Sequence, residues 1–306
     1  MSTTARVTTV LLICFGIVLP FSRALATTDA ERKRAQAAMP HQNTAAGGTM
    51  VRAHLTRLDG YVEGRPDNAS QLARMKAEAQ QCMRQHQVTG RATNPPQAWP
   101  DFVMSMRTDR YASANRTIAY HFSLMYGLRA DDCGLLETAP ANATLTSAMG
   151  TCNIDLIEKT ATGVCDGLAH GNARPRFPAP ASTLTDIEEA MKKAPTNAGL
   201  AALAAVMRQH PPGGTGERKT VLGLKCEVWK NPLDPTGTIC LSTGGTFMAF
   251  DSNGQKEHST MNLETISIAG IKEHSVEAKL DASVSNTVFA PYLAGGFAIK
   301  NMAPRK

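Results

Sequence analysis

The residues best suited to chemistry in this chain are its cysteines and a few acids set beside histidines. Seven cysteines are present, Cys14 near the start and six further along. Asp131-Asp132 is an acidic pair next to Cys133, Glu257-His258 and Glu273-His274 are acid–imidazole neighbours, and His170 follows Cys165 closely. Asp131, Asp132 and His121 have the types for hydrolysis, in which one group takes a proton that another returns. Cys165 with His170 has the types for a thiolate nucleophile, but a cysteine held in a disulfide offers no thiolate. The nucleophile elbow, the paired-histidine zinc helix and the phosphate-cradling glycine loop are all missing, and Gly244-Gly245 reads as a turn. The expectation is a non-enzyme with no catalytic residue, no metal and no cofactor.

Residues 1–26 read as an export signal. Arg6 supplies the basic start, residues 7–21 form an apolar run too short to span a bilayer, and Ala24-Leu25-Ala26 matches a cleavage site. Its removal leaves Cys82, Cys133, Cys152, Cys165, Cys226 and Cys240. An even count in an exported chain predicts three disulfides and a periplasmic or secreted location. Cys226 and Cys240 are equidistant from Leu233, which lies between Pro232 and Pro235, and Cys152 and Cys165 are centred on Glu158-Lys159. Each pair can therefore close its own antiparallel hairpin. Cys82 would then join Cys133, tying a helix to the sheet. A second scheme, Cys133 with Cys152 and Cys82 with Cys165, stays open on spacing alone. A zinc site finds no close Cys-x-x-Cys or His-x-x-x-His spacing.

These cysteines must be positioned by a mixture of helices and strands. Residues 27–67 read as a polar N-terminal arm. A helix is expected over 68–87, capped by Asn68 with Gln71, with Leu72, Met75, Ala79, Cys82 and Met83 on one stripe. Period-two alternation over 117–128 puts Ile118, Tyr120, Phe122, Leu124, Tyr126 and Leu128 on one face and His121 on the other. Residues 68–180 form a helix plus β-rich region, 181–214 a helical connection, and 215–306 a C-terminal β-rich region that could continue the same sheet. In the last, Leu222, Leu224, Cys226 and Val228 share one parity and Trp229 has the other. The net charge of +6 becomes 6 − 2 = +4 once Arg6 and Arg23 leave with the signal, and no basic run interleaved with aromatics argues for nucleic acid. No stable membrane span is expected after signal removal.

Residues 215–229, TGERKTVLGLKCEVW, and 276–291, VEAKLDASVSNTVFAP, resemble the periplasmic outer-membrane lipoprotein carrier superfamily, through Thr220, Gly223, Cys226, Trp229 and Phe289. The resemblance covers residues 215–291 and implies an incomplete antiparallel barrel, curved around an apolar cavity and lidded by helices. The fold expected is therefore α+β: a curved antiparallel sheet with a few covering helices and disulfide-stapled hairpins. A concave greasy face is a common ligand site, and Tyr120, Phe122, Leu124, Leu222, Leu224, Val228 and Trp229 are the expected lining. The expected function is non-catalytic binding of a hydrophobic small molecule or lipid, or of an envelope protein. The alternative is an interaction module of an envelope assembly that docks through residues 27–57.

Overall fold

The computed structural model describes residues 48–62, 68–147, 150–165, 213–231, 234–243, 248–250, 256–258, 261–266 and 271–301, together with Lys192. The expected export signal, the arm up to residue 47 and, Lys192 apart, the helices expected between 181 and 212 fall outside them.

The centre of the molecule is a strand that the composition hides. Residues 50–62 were expected in a polar arm, yet they form β1 (Met50–Val62), hydrogen-bonded on both sides. Its sequence, MVRAHLTRLDGYV, mixes apolar and charged residues on both parities, and Ala53, His54, Leu55, Thr56 and Leu58 are all buried. A strand covered on two faces loses the simple alternation that marks a half-buried one. The polar arm thus stops short of residue 50, and residues 50–57, expected within it, are strand residues of the sheet.

After β1 come α1 (Asn68–Thr89), β2 (Met104–Ala112), β3 (Arg116–Leu128), β4 (Leu135–Thr138), β5 (Ala141–Ser147), β6 (Gly150–Asp155) and β7 (Thr160–Gly163). The C-terminal half adds β8 (Gly213–Val221), β9 (Leu224–Asn231), β10 (Asp234–Ser242), β11 (Met248–Phe250), β12 (Lys256–His258), β13 (Asn262–Ile266), β14 (Ile271–Ser285) and β15 (Ala298–Asn301). One open, curved, thirteen-stranded sheet runs β15-β7-β6-β5-β3-β2-β1-β14-β13-β10-β9-β8, with β4 also on β3. Every pairing is antiparallel except β15 with β7, so the sheet is mixed. β11 and β12 form a separate ribbon. The two β-rich regions are therefore one sheet, joined where β1 meets β14. That junction carries two register shifts, beside Ala53/Leu55 and Arg57/Leu58. Bulges of this kind bend a strand and raise its twist.

Two apolar clusters flank the junction. The larger gathers Leu55, Tyr111, Ile118, Tyr120, Phe122, Leu145, Cys152, Ile154 and Cys165 against Val288, Phe289 and Tyr292 from two short 3-10 turns, Asn286–Phe289 and Pro291–Ala294. Tyr120 donates its hydroxyl proton to the Val288 carbonyl, and Tyr292 donates to that of Cys165. The smaller cluster is Cys226, Val228, Cys240, Met261 and Leu263.

Disulfides join Cys82 to Cys133, Cys152 to Cys165 and Cys226 to Cys240, the first of the two schemes. Neither hairpin bridge is directly cross-strand, however. Cys226 faces Ser242 and Cys240 faces Val228, while Cys152 faces Gly163. Both bridges run diagonally. In the later hairpin the offset comes from the irregularity between Asp234 and Thr238, where Pro235 sits in an unpaired stretch as proline requires.

Helix α1 presents the expected stripe: Ala79 and His86 are buried, and Leu72, Met75, Cys82 and Met83 are half-buried. Asn68 also ties the helix start to the sheet. Its side chain donates to the Asp101 carbonyl and accepts from the Val103 N–H, pinning the helix start to the segment that enters β2.

Candidate functional site

Register assigns the polar residues of the central strands to faces. Directly opposed residues share a face, and Leu58 opposes both Thr108 on β2 and Ser275 on β14, while Thr108 opposes His121 on β3. Gly60 opposes both Met106 and Glu273. Thr108, His121, Glu273 and Ser275 therefore lie on one face. Glu273 reaches across β1 to meet the Thr108 hydroxyl at 3.5 Å, and that hydroxyl is 3.2 Å from His121 Nδ1. Gly60 makes the reach possible. A Cβ there would stand 2.7 Å from Met106 Cγ and 2.8 Å from Glu273 Cγ, closer than carbon atoms approach.

A threonine hydroxyl has one proton. Donated to Glu273, it leaves the oxygen to accept from His121 Nδ1–H, which makes Nε2 the free acceptor of the ring. Burial raises the Glu273 pKa above its ordinary 4.5, opposed by the Thr108 hydrogen bond. Burial also lowers the His121 pKa below 6.5, and the Arg110 charge adds to this. His121 keeps contact with solvent, but the protein around it displaces enough water to disfavour its charge. Perturbed acid–imidazole pairs mark sites that exchange protons or hydrogen bonds with a ligand. Thr108 is itself buried, so its hydroxyl is a bridge between the two groups and not an exposed nucleophile.

The same face continues into apolar ground. Thr56 opposes Ala278 and shares the parity of Leu58 and Gly60. Ala278 and Leu280 pack with Val221 and Leu224 against the smaller cluster around the Cys226–Cys240 bridge, and all four remain half-buried. Ala278 thus connects that face, beyond the bulge in β14, to the aliphatic groups around the Cys226–Cys240 bridge.

The opposite face carries a buried ion cluster. Asp109, fully buried, accepts from Arg57 Nε at 2.9 Å and Nη2 at 3.2 Å, and from Arg107 Nε at 3.0 Å and Nη2 at 3.4 Å. Arg57 also pairs with Glu277 at 3.4 Å. Burial works against the Arg57 charge, but Asp109 and Glu277 outweigh it and raise the pKa. Tyr111, packed edge-on to Tyr120, has its pKa pushed up by burial and by the Asp109 charge. A double guanidinium clamp on an enclosed carboxylate is a structural staple.

The expected lining residues do not share one surface. Tyr120, Phe122 and Leu124 belong to the larger cluster, whose space the chain's own Val288, Phe289 and Tyr292 occupy. Leu224 and Val228 belong to the smaller one. Leu222 is not in a strand: with Gly223 it forms the two-residue turn between β8 and β9, at φ 51° and 79°, and is 53% exposed. Positive φ at both positions is the mark of a type I′ hairpin turn. Trp229, opposing Ile239 with the other parity, is 39% exposed.

The hydrolytic set is not assembled. Asp132 lies in the turn after β3, where the Gly134 N–H and then Arg129 hold its carboxylate below the usual range. His121 is seven residues back along an extended strand from Leu128, about 23 Å at strand rise. Glu257 and His258 lie in β12, and His170 falls outside the described residues. Thr108 and Arg110 went unnoticed in the sequence because only the β2–β3 register brings them beside His121. Also missed was a group formed by Cys82, His86 and Cys133, whose potential ligand atoms lie within 4.8 Å of one another. Its signal was Cys82 and His86 one helical turn apart on a single face.

Comparison with protein families, curated proteins and solved structures finds no match to this chain.

Proposed function

We propose that this is an exported, non-catalytic binding protein that holds a hydrophobic or amphipathic ligand on the curved face of its sheet. Three disulfides belong to an oxidising compartment outside the cytoplasm. Among the described residues no helix is long and apolar enough to cross a membrane. The reading rests on one observation: Ala278, which opposes Thr56 on the face of the Thr108–His121–Glu273 set, packs with Leu280, Val221 and Leu224 against the smaller cluster, and all four stay half-buried. Apolar ground with a few convergent polar groups is the usual make-up of a small-ligand site.

The larger cluster is the weaker candidate, since folding already fills it with Phe289 and its neighbours. The lipoprotein-carrier resemblance points to the same class of ligand, and residues 215–291 contain the C-terminal strands that supply the aliphatic floor. Saturable binding of an apolar fluorophore to the wild-type chain is expected, weakened at least tenfold in Leu224→Glu and Leu280→Glu variants that keep wild-type circular dichroism. Absence of saturable binding, or wild-type affinity in both variants, would overturn the reading.

A further inference from the structure

We propose that the Cys82–Cys133 bridge is a thiol-gated site for a thiophilic divalent cation such as Zn2+, completed by His86. The three disulfides are not equally accessible. Cys152, Cys165, Cys226 and Cys240 are all buried within the two apolar clusters. Cys82 alone among the six is half-buried, on a helix surface, while its partner Cys133 is enclosed. A small-molecule thiol therefore meets the Cys82 sulfur first. Its thiolate bonds to Cys82 Sγ as the S–S bond breaks, and the electron pair leaves on Cys133 Sγ. A second thiol attacks the mixed disulfide, releasing the oxidised small molecule and the Cys82 thiolate. Two thiols are oxidised and one protein disulfide is reduced.

The fold has already gathered the ligands. Helix α1 sets Cys82 and His86 one turn apart on the same face. The turn holding Cys133 is braced from below: the Cys133 N–H donates to the Arg129 carbonyl, and the Arg129 guanidinium clamps Asp132. The two sulfurs and an imidazole nitrogen lie within 4.8 Å of one another, while a tetrahedral zinc site spaces its ligand atoms by about 3.3–3.8 Å. Opening the bridge lets the sulfurs separate toward that spacing. His86 also has the expected support. One ring nitrogen is 3.3 Å from the Ala92 carbonyl and the other 3.1 Å from that of Ala130. One contact keeps orienting the ring while the other nitrogen turns to the metal, the carbonyl-backed arrangement common to metal-bound histidines. Binding displaces one proton from each thiol, so affinity rises with pH. Two sulfurs and one imidazole leave a fourth position open, the pattern of a Cys2His site.

The test uses the full mature chain. Limited dithiothreitol treatment followed by alkylation and peptide mapping is expected to label Cys82 and Cys133 before the other four. Protein reduced to that stage should bind Co2+ one to one with thiolate-to-cobalt absorption, and Zn2+ should then protect Cys82 and Cys133 from alkylation. His86→Asn, which keeps hydrogen-bonding capacity, should weaken Co2+ binding by about 10–100-fold, and oxidised protein should show no such absorption. Simultaneous opening of all three bridges would overturn the proposal. So would reduced protein without the cobalt absorption, or wild-type binding in the His86→Asn and Cys82→Ser variants.

Discussion

The two stapled hairpins carry the same covalent brace in unlike surroundings, and the contrast shows what a disulfide is for. Cys152–Cys165 and Cys226–Cys240 close loops of 13 and 14 residues, and both run diagonally across their strands. Chain entropy gives each about 3 kcal/mol. The first is one element of a broad cluster sealed by Val288, Phe289 and Tyr292. The second supplies two of the five buried residues in its own cluster, with half-buried aliphatic side chains around it. In the larger region packing fixes the strands and the bridge adds to it. In the smaller, sulfur replaces packing, and the aliphatic groups around the bridge stay half-buried.

The largest effect expected from breaking this contrast is at Phe289. Phe289→Ala should cost about 3–5 kcal/mol, read as a cooperative fall in Tm with loss of protection across β1 to β7. Next is Asp109→Ala, which strands Arg57 and Arg107 on the opposite side of the central strands. Removing one partner of a buried ionic cluster costs about 3–5 kcal/mol, and urea titration should show it without a change in fluorophore binding.

The disulfides themselves sharpen the comparison. Replacing both cysteines of either hairpin by serine should remove about 3 kcal/mol of chain-entropy stabilisation, but hydrogen exchange should distinguish the two. Loss of Cys226–Cys240 should leave residues 213–243 unprotected while β3 and β5 stay protected. Loss of Cys152–Cys165 should lower protection throughout the larger region in proportion. Equal, global responses to both would show that the small region is packed as well as the large one.

The smallest effect is in pH dependence. The folded pKa of His121 is below 6.5, so between that folded value and 6.5 the unfolded chain binds more protons. Stability is then lost as pH falls through 6.5. His54 acts in the same sense: burial lowers its pKa, and the Asp281 N–H donates to its Nδ1, which must be unprotonated to accept. His121→Asn should flatten the loss of stability below pH 6.5 and leave the His54 part. Glu273 has the opposite sign. Its pKa is raised above 4.5, so stability falls as pH rises through that window.

The sequence made the alternation of β3 legible because one face of it is packed on the core and His121 meets solvent on the other. The even cysteine count and the symmetry of each pair about a turn led to the observed bridges, although the diagonal offsets depend on a bulge that spacing does not reveal. β1 was lost in a polar stretch because its buried residues include His54 and Thr56, and His54 is met by the Asp281 N–H far along the chain. Leu222 looked like a strand residue because its parity matched Leu224, whereas Gly223 marked the turn. Glu273 with Thr108 was invisible in principle: their meeting requires a glycine at position 60 on the intervening strand. Cys82 and His86 were readable as a helical pair, but His86 gains its meaning only from Cys133, a residue 51 positions from Cys82.

The most direct trial of the ligand-binding account is native mass spectrometry of the mature chain purified from its exported form, beside a Leu224→Glu/Leu280→Glu double variant. The account predicts a lipid or other apolar adduct on the wild type that is absent from a folded double variant. A wild-type chain that carries no adduct and takes up none from added phospholipid, or a double variant that retains the adduct in full, would contradict it.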